Sequence, residues 1–203
     1  MGGHAGGEVA SNLAVTTVQQ HVVDHRGPFF ELLENDDPET KARASEELAR
    51  AVQRACSSIF ELASSDRGKH GMGTTFTGVA VAGSRGVIAH VGDSRAYLFR
   101  QGRAHRLTED HTMVSAQLKA GIISREEAAA SKLGNVLTRA VGAQENVQVD
   151  TLLVDFLPND LLLICSDGLH GYIDEPDLPT LLLMATPQAL PDKLVALANE
   201  RGG

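Results

Sequence analysis

The chain has 203 residues, 42% hydrophobic and 22% charged, with 26 acidic against 18 basic side chains and a net charge of -8. That composition excludes wholesale disorder, and without a run of Lys and Arg it disfavours binding to nucleic-acid phosphates or to an anionic membrane surface. The longest apolar runs, such as Leu161–Cys165 and Leu181–Ala185, fall far short of the ~20 residues that cross a bilayer.

The opening MGGHAGGEVAS has neither the positive nor the apolar region of a secretory signal, which points to the cytoplasm. Its glycines surround His4. Val9, Leu13, Val18 and Val22 then recur near helical spacing, and Gly27-Pro28 is expected to break that helix. Asp37 followed by Pro38 is an N-cap and first-turn pair. Leu48, Val52, Ala55, Ile59 and Leu62 make one apolar stripe over the next helix. Cys56 on that stripe and Cys165 in an apolar run are read as small buried core residues.

From Gly71 the pattern changes to short β-branched and aromatic runs cut by glycines: GMGTTFTGVAVA, GVIAHVGDS and AYLFRQGRAHRLT. They predict three or four antiparallel strands, with a hairpin turn at Arg100-Gln101-Gly102-Arg103. Residues 109–142 read as helical, with a capping box at Ser124-Arg125-Glu126-Glu127. VQVDTLLVDF and LLLICSDG are two further strands about a turn at Leu157-Pro158-Asn159-Asp160, and the last 30 or so residues are helical. Strands joined by tight turns, with helices in clusters before and after them, give an α+β fold with antiparallel sheets.

Two acids stand where an apolar strand runs out beside a glycine. Asp93 follows His90-Val91-Gly92, and Asp167 follows LLLIC-Ser166. The continuous apolar run before Asp167 predicts a strand buried on both faces, and a carboxylate at its mouth needs neutralising. A hard divalent cation does this well. Either acid alone could equally close its strand as a turn residue. His4, in its glycine-rich loop, is a candidate acid or base. His111 and His170 read as structural, and the histidines other than His4 are read as showing no HxxxH or HxH metal spacing. No P-loop and no Gly-x-Ser-x-Gly elbow is present.

MGGHAGGEVAS, GMGTT, HVGDSRAYLFRQG, LTEDHT, NVLTRAVG and LLLICSDGL together resemble the metal-dependent Ser/Thr protein phosphatases of type 2C, the bacterial members above all. The resemblance runs from Met1 to Gly203. It implies a β-sandwich of two antiparallel sheets flanked by helix pairs, in a single catalytic domain over residues 1–203, with a small helical flap at about 109–136. It implies hydrolysis of phosphoserine and phosphothreonine on proteins by a water activated at a binuclear Mn2+ or Mg2+ centre, with a third ion in bacterial members. Asp167 matches a ligand of the centre, Asp93 a ligand of the additional ion, and His4 the general acid. The implied partners are phosphorylated substrates of a Ser/Thr kinase, acted on by a cytoplasmic monomer. The family pattern reads Asp-Gly-Met-Gly-Gly-His and later Asp-Asn, and this chain starts at that Met and stops at Gly203. Terminal strands and further ligands are therefore expected to be missing, leaving the segment alone with weak Mn2+ binding and little turnover. The alternative is a catalytically impaired binding or regulatory module of the same fold.

Overall fold

The computed structural model describes residues 6–131 and 133–203. They divide into two compact units, one of residues 6–92 and 110–156, the other of residues 93–109 and 157–203.

The first unit is built on helices and one sheet. Helix α1 (Gly7–Asp24) lies beside α3 (Pro38–Ser65). The contact is made of small residues: Ala10 and Ala14 on α1, and Ala44, Ala51 and Ala55 on α3, all at most 1% exposed. Alanines let two helix backbones approach closely at little entropic cost. Asp37 caps α3 as its spacing predicts, with its carboxylate accepting from Thr40 N–H at 2.9 Å. Gly27-Pro28 does more than end α1. It opens a second helix, α2 (Gly27–Glu34), because proline in the first turn has no intrahelical bond to lose.

Strands β1 (Phe76–Ala82) and β2 (Arg85–Val91) form a hairpin, Ala82 facing Arg85 across Gly83-Ser84. Val87, Ala89 and Val91, alternate residues of β2, join the core under the helices. Among the described residues of 109–142, expected to be helical, only α4 (Met113–Lys119) and α5 (Arg125–Ala130) are. The capping box at Ser124 and Glu127 is present. Beyond α5 the chain is held by isolated bridges, Thr112 with Leu137 and Thr74 with Val141. Strand β5 (Asp150–Asp155) then returns to the other side of β2, giving the order β1-β2-β5.

The second unit holds the other sheet, in the order β4-β3-β6. Strands β3 (Arg95–Arg100) and β4 (Arg103–Arg106) are joined through Gln101 and Gly102, at φ 52 and 75. Two positive φ values in a two-residue loop match the right-handed twist of the strands. Strand β6 (Leu161–Cys165) pairs with the other side of β3. Tyr97 and Phe99 pack with Leu169 of α6 (Asp167–His170), Leu178 and Leu182 of α7 (Leu178–Leu182), and Leu190 and Leu194 of α8 (Leu190–Glu200). Both sheets are antiparallel and flanked by helices, so the class is α+β, as the strand and turn signals predict. Among the described residues no helix is long and apolar enough to cross a membrane.

Candidate metal centre

The register of β3 and β6 brings the two predicted acids together. Arg95 pairs with Cys165, and the strands run antiparallel. Asp93 lies two residues before Arg95 and Asp167 two residues after Cys165. Both therefore stand at the same end of one ladder, beyond its last pair. Asp93 is half-buried and Asp167 is exposed as the first residue of the one-turn helix α6. Asp167 Oδ1 accepts Gly168 N–H at 2.9 Å. His170, at the other end of α6, places Nε2 2.9 Å from the backbone oxygen of Asp93. A carbonyl only accepts, so Nε2 carries the proton and donates. Helix α6 thus supplies one carboxylate and ties down the residue carrying the other.

The strand before Asp167 differs from what its apolar composition predicts. The run Leu161–Cys165 is not buried on both faces: β6 has a neighbour on one side only, and its residues are half-buried, with Ile164 38% exposed. Cys165 is likewise half-buried rather than a core residue. Desolvation therefore does not force neutralisation of Asp167. The case for a metal rests on two acids placed at the same end of one ladder, a pair of hard oxygen donors of the kind that suits Mg2+ or Mn2+ holding its remaining positions with water.

Gly92, the residue before Asp93, is gripped on both sides by His111. Gly92 N–H donates to His111 Nδ1 at 3.1 Å, and His111 N–H donates to the Gly92 carbonyl at 2.8 Å. Because Nδ1 accepts, the neutral ring carries its proton on Nε2, which donates to Asp150 Oδ2 at 3.0 Å. Arg139 Nη1 donates to Asp150 Oδ1 at 2.7 Å and lies 3.2 Å from His111 Nε2. That last distance joins two donors aimed at one carboxylate and is not a third bond. Burial works against the Asp150 charge, but the hydrogen bonds from His111 and Arg139 outweigh it and hold the carboxyl below its usual range. Asp150 faces His90 across the β2–β5 ladder, and the His90 and His111 rings lie 4.7 Å apart.

His111 and His170, taken as structural, are structural in a particular place: one holds the backbone of Gly92, the other that of Asp93. The spacing of His170 three residues after Asp167 could have placed both at the same side of a helical turn. Nothing local links His111 to Gly92, 19 residues earlier. His4, the proposed general acid, lies outside the described residues. Cys56 is buried, accepts Gly142 N–H at 3.2 Å, and lies in the helical core. Burial pushes its thiol up, which leaves it unreactive.

The protein phosphatase 2C family model matches residues 14–178. Serine/threonine phosphatase Stp of Listeria monocytogenes is 37% identical over 204 residues, covering 100% of this chain and 77% of that protein. The serine/threonine phosphatase of S. agalactiae has a TM-score of 0.84 at 34% identity, over 100% of this chain and 79% of that one. The catalytic domain of the phosphatase PstP, solved in complex with two manganese ions, has a TM-score of 0.79 at 30% identity, over 100% of this chain and 79% of that one. Matched over most of its length in sequence and all of it in fold, the chain belongs to the protein phosphatase 2C family.

Proposed function

We propose that Asp93 and Asp167 are metal ligands of a Mn2+- or Mg2+-dependent protein Ser/Thr phosphatase. What supports this reading is the β3–β6 register, in which Asp93 and Asp167 are residues at the same end of one ladder, with the Asp93 backbone tied to α6 through His170. Held by Asp93 and Asp167, a divalent ion would make water a usable nucleophile near neutral pH and would draw charge off the phosphoryl oxygens. The substrate is a phosphoserine or phosphothreonine side chain of a protein. Water adds to phosphorus, the bond to the side-chain oxygen breaks, and inorganic phosphate and the free hydroxyl result. His4 gives the proton to the departing oxygen. The non-catalytic alternative is less favoured, because the chain keeps both carboxylates and its relatives are phosphatases by name.

The substrates are those of a Ser/Thr kinase, and the protein acts as a monomer in the cytoplasm. The two free cysteines, Cys56 and Cys165, suit a reducing compartment.

Asp93→Asn tests the assignment by metal titration. Because an amide is a weaker ligand than a carboxylate, the Mn2+ concentration for half-maximal hydrolysis of a phosphothreonine peptide is expected to rise about tenfold or more. An unchanged titration would leave Asp93 a strand-closing turn residue. His4→Ala tests the general acid by leaving group. A serine alkoxide needs a proton to depart and a nitrophenolate hardly does, so phosphoserine peptide should slow about a hundredfold and p-nitrophenyl phosphate far less. Equal slowing of both substrates would remove His4 from that role.

A further inference from the structure

A second group of metal-ligating side chains lies between α1 and α3. His21 lies in the last turn of α1 and His25, four residues on, is the residue that caps its C-terminus. Glu47 of α3 faces them, and one ligand-capable atom of each residue lies within 4.8 Å of the others. The side chains of His21 and Glu47 are only 10% and 9% exposed, while His25 is open to solvent. The two rings stack with centroids 4.2 Å apart.

The hydrogen bonds prepare these groups for coordination. His25 Nδ1 lies 3.0 Å from the His21 carbonyl oxygen, which only accepts, so Nδ1 of the neutral ring holds the proton and Nε2 is left with a bare lone pair. A backbone carbonyl fixing one nitrogen so that the other is free is the usual outer-shell arrangement of a metal-bound histidine. His21 Nε2 donates to Glu47 Oε1 at 2.7 Å. His21 Nδ1 is buried with no hydrogen-bond partner, so the ring's only polar tie is the one to Glu47. Glu47 Oε2 accepts from Arg50 at 2.5 Å. Burial opposes the Glu47 charge, but His21 and Arg50 hold the carboxyl below its usual range and so in the ligand form.

We propose that His21, His25 and Glu47 form a Zn2+ site. The ion would replace the His21 Nε2 proton, with that nitrogen and Glu47 Oε1 parting from their 2.7 Å hydrogen bond to admit it, and the proton would move to the buried Nδ1 so that the ring stays neutral. His25 completes the set through Nε2, and water takes the open position. Two imidazoles and one carboxylate select a borderline ion, unlike the oxygen donors Asp93 and Asp167. A tetrahedral zinc site needs ligand atoms about 3.3 Å apart. The His21–Glu47 pair must therefore open from its 2.7 Å hydrogen bond by about 0.6 Å, and the exposed His25 ring must leave its stacking on His21 and swing toward that pair.

The test is calorimetric titration of the full chain with Zn2+ in excess Mg2+, which occupies the oxygen centre. The expected result is one Zn2+ bound per chain, weakened about tenfold or more by His25→Ala. Because His25 is exposed, that variant should keep the parent's metal-free melting temperature while losing the rise that Zn2+ gives the parent. Glu47→Gln should weaken the same event, and Co2+ should give visible absorption of a nitrogen-ligated site in the parent but not in His25→Ala. No zinc binding by the parent in excess Mg2+, or an unchanged affinity in His25→Ala, would overturn the site and leave a stacked histidine pair on a buried carboxylate.

Discussion

In a parent that carries the full set of metal ligands, Asp167→Asn is expected to cut Mn2+-dependent hydrolysis of a phosphothreonine peptide by about a hundredfold or more, because it removes one of the carboxylates on which the metal would depend. The fold should be untouched. Asp167 is exposed, and its side chain accepts one hydrogen bond, from Gly168 N–H, which the amide oxygen of asparagine can also accept. A melting temperature within about 1 °C of the parent is therefore expected alongside the lost activity. Calorimetric Mn2+ titration separates ligation from any other role, since a ligand change weakens binding whether or not turnover is measured. A variant within threefold of the parent in activity, with unchanged Mn2+ affinity, would remove Asp167 from the centre.

Gly92→Ala is expected to act on fold and site together. Gly92 has φ +111, and a Cβ there would lie 2.4 Å from Thr75 Cγ2, 2.7 Å from its Cβ and 3.2 Å from its Cα. The first of these atoms could turn away, but the last two belong to the chain itself. Strained backbone and overpacking each cost on the order of 1–3 kcal/mol, and a combined loss of about 3 kcal/mol lowers the melting temperature of a chain this size by roughly 6–12 °C. Because His111 holds Gly92 through both its N–H and its carbonyl, the displacement passes to Asp93 next in the chain, and Mn2+ affinity should fall in the protein that remains folded. Thr75→Gly in the same chain removes the two nearest obstacles and should restore part of the lost stability. A melting temperature for Gly92→Ala within about 1 °C of the parent would show that the close approach is absent.

Features set by neighbouring residues were legible in the sequence. The Asp37 cap, the Ser124–Glu127 box and the Gln101-Gly102 turn depend on side chains within a few positions, and each appears where its pattern predicts. Gly27-Pro28 was ambiguous because the same pair that stops one helix can open another. The stretch after Ala130 carries helix-compatible residues but is held by long-range bridges to Thr74 and Thr112. Asp93 and Asp167 were legible as strand ends, but their pairing came from a register between segments 70 residues apart. The burial of β6 was misjudged because apolar composition does not reveal how many neighbours a strand has. The reading that no HxxxH spacing is present is wrong: His21 and His25 stand four apart. The meaning of that spacing needed Glu47, which only the packing of α3 on α1 supplies.

The strand orders β1-β2-β5 and β4-β3-β6 also govern how the chain acquires its structure in time. Each sheet begins as a hairpin closed by two residues, β1 with β2 and β3 with β4, which forms within microseconds. Each waits for a third strand from much later: Arg85 meets Asp155 and Arg95 meets Cys165, both 70 residues downstream. On a ribosome adding about 5–20 residues per second, that delay is roughly 4–14 s. For that interval both hairpins present open edges to other chains, and Asp93 has been made without Asp167. Asp93 and Asp167 therefore share one ladder end only after β6 has been made, and conditions that slow translation lengthen the period in which nascent copies can pair with one another instead.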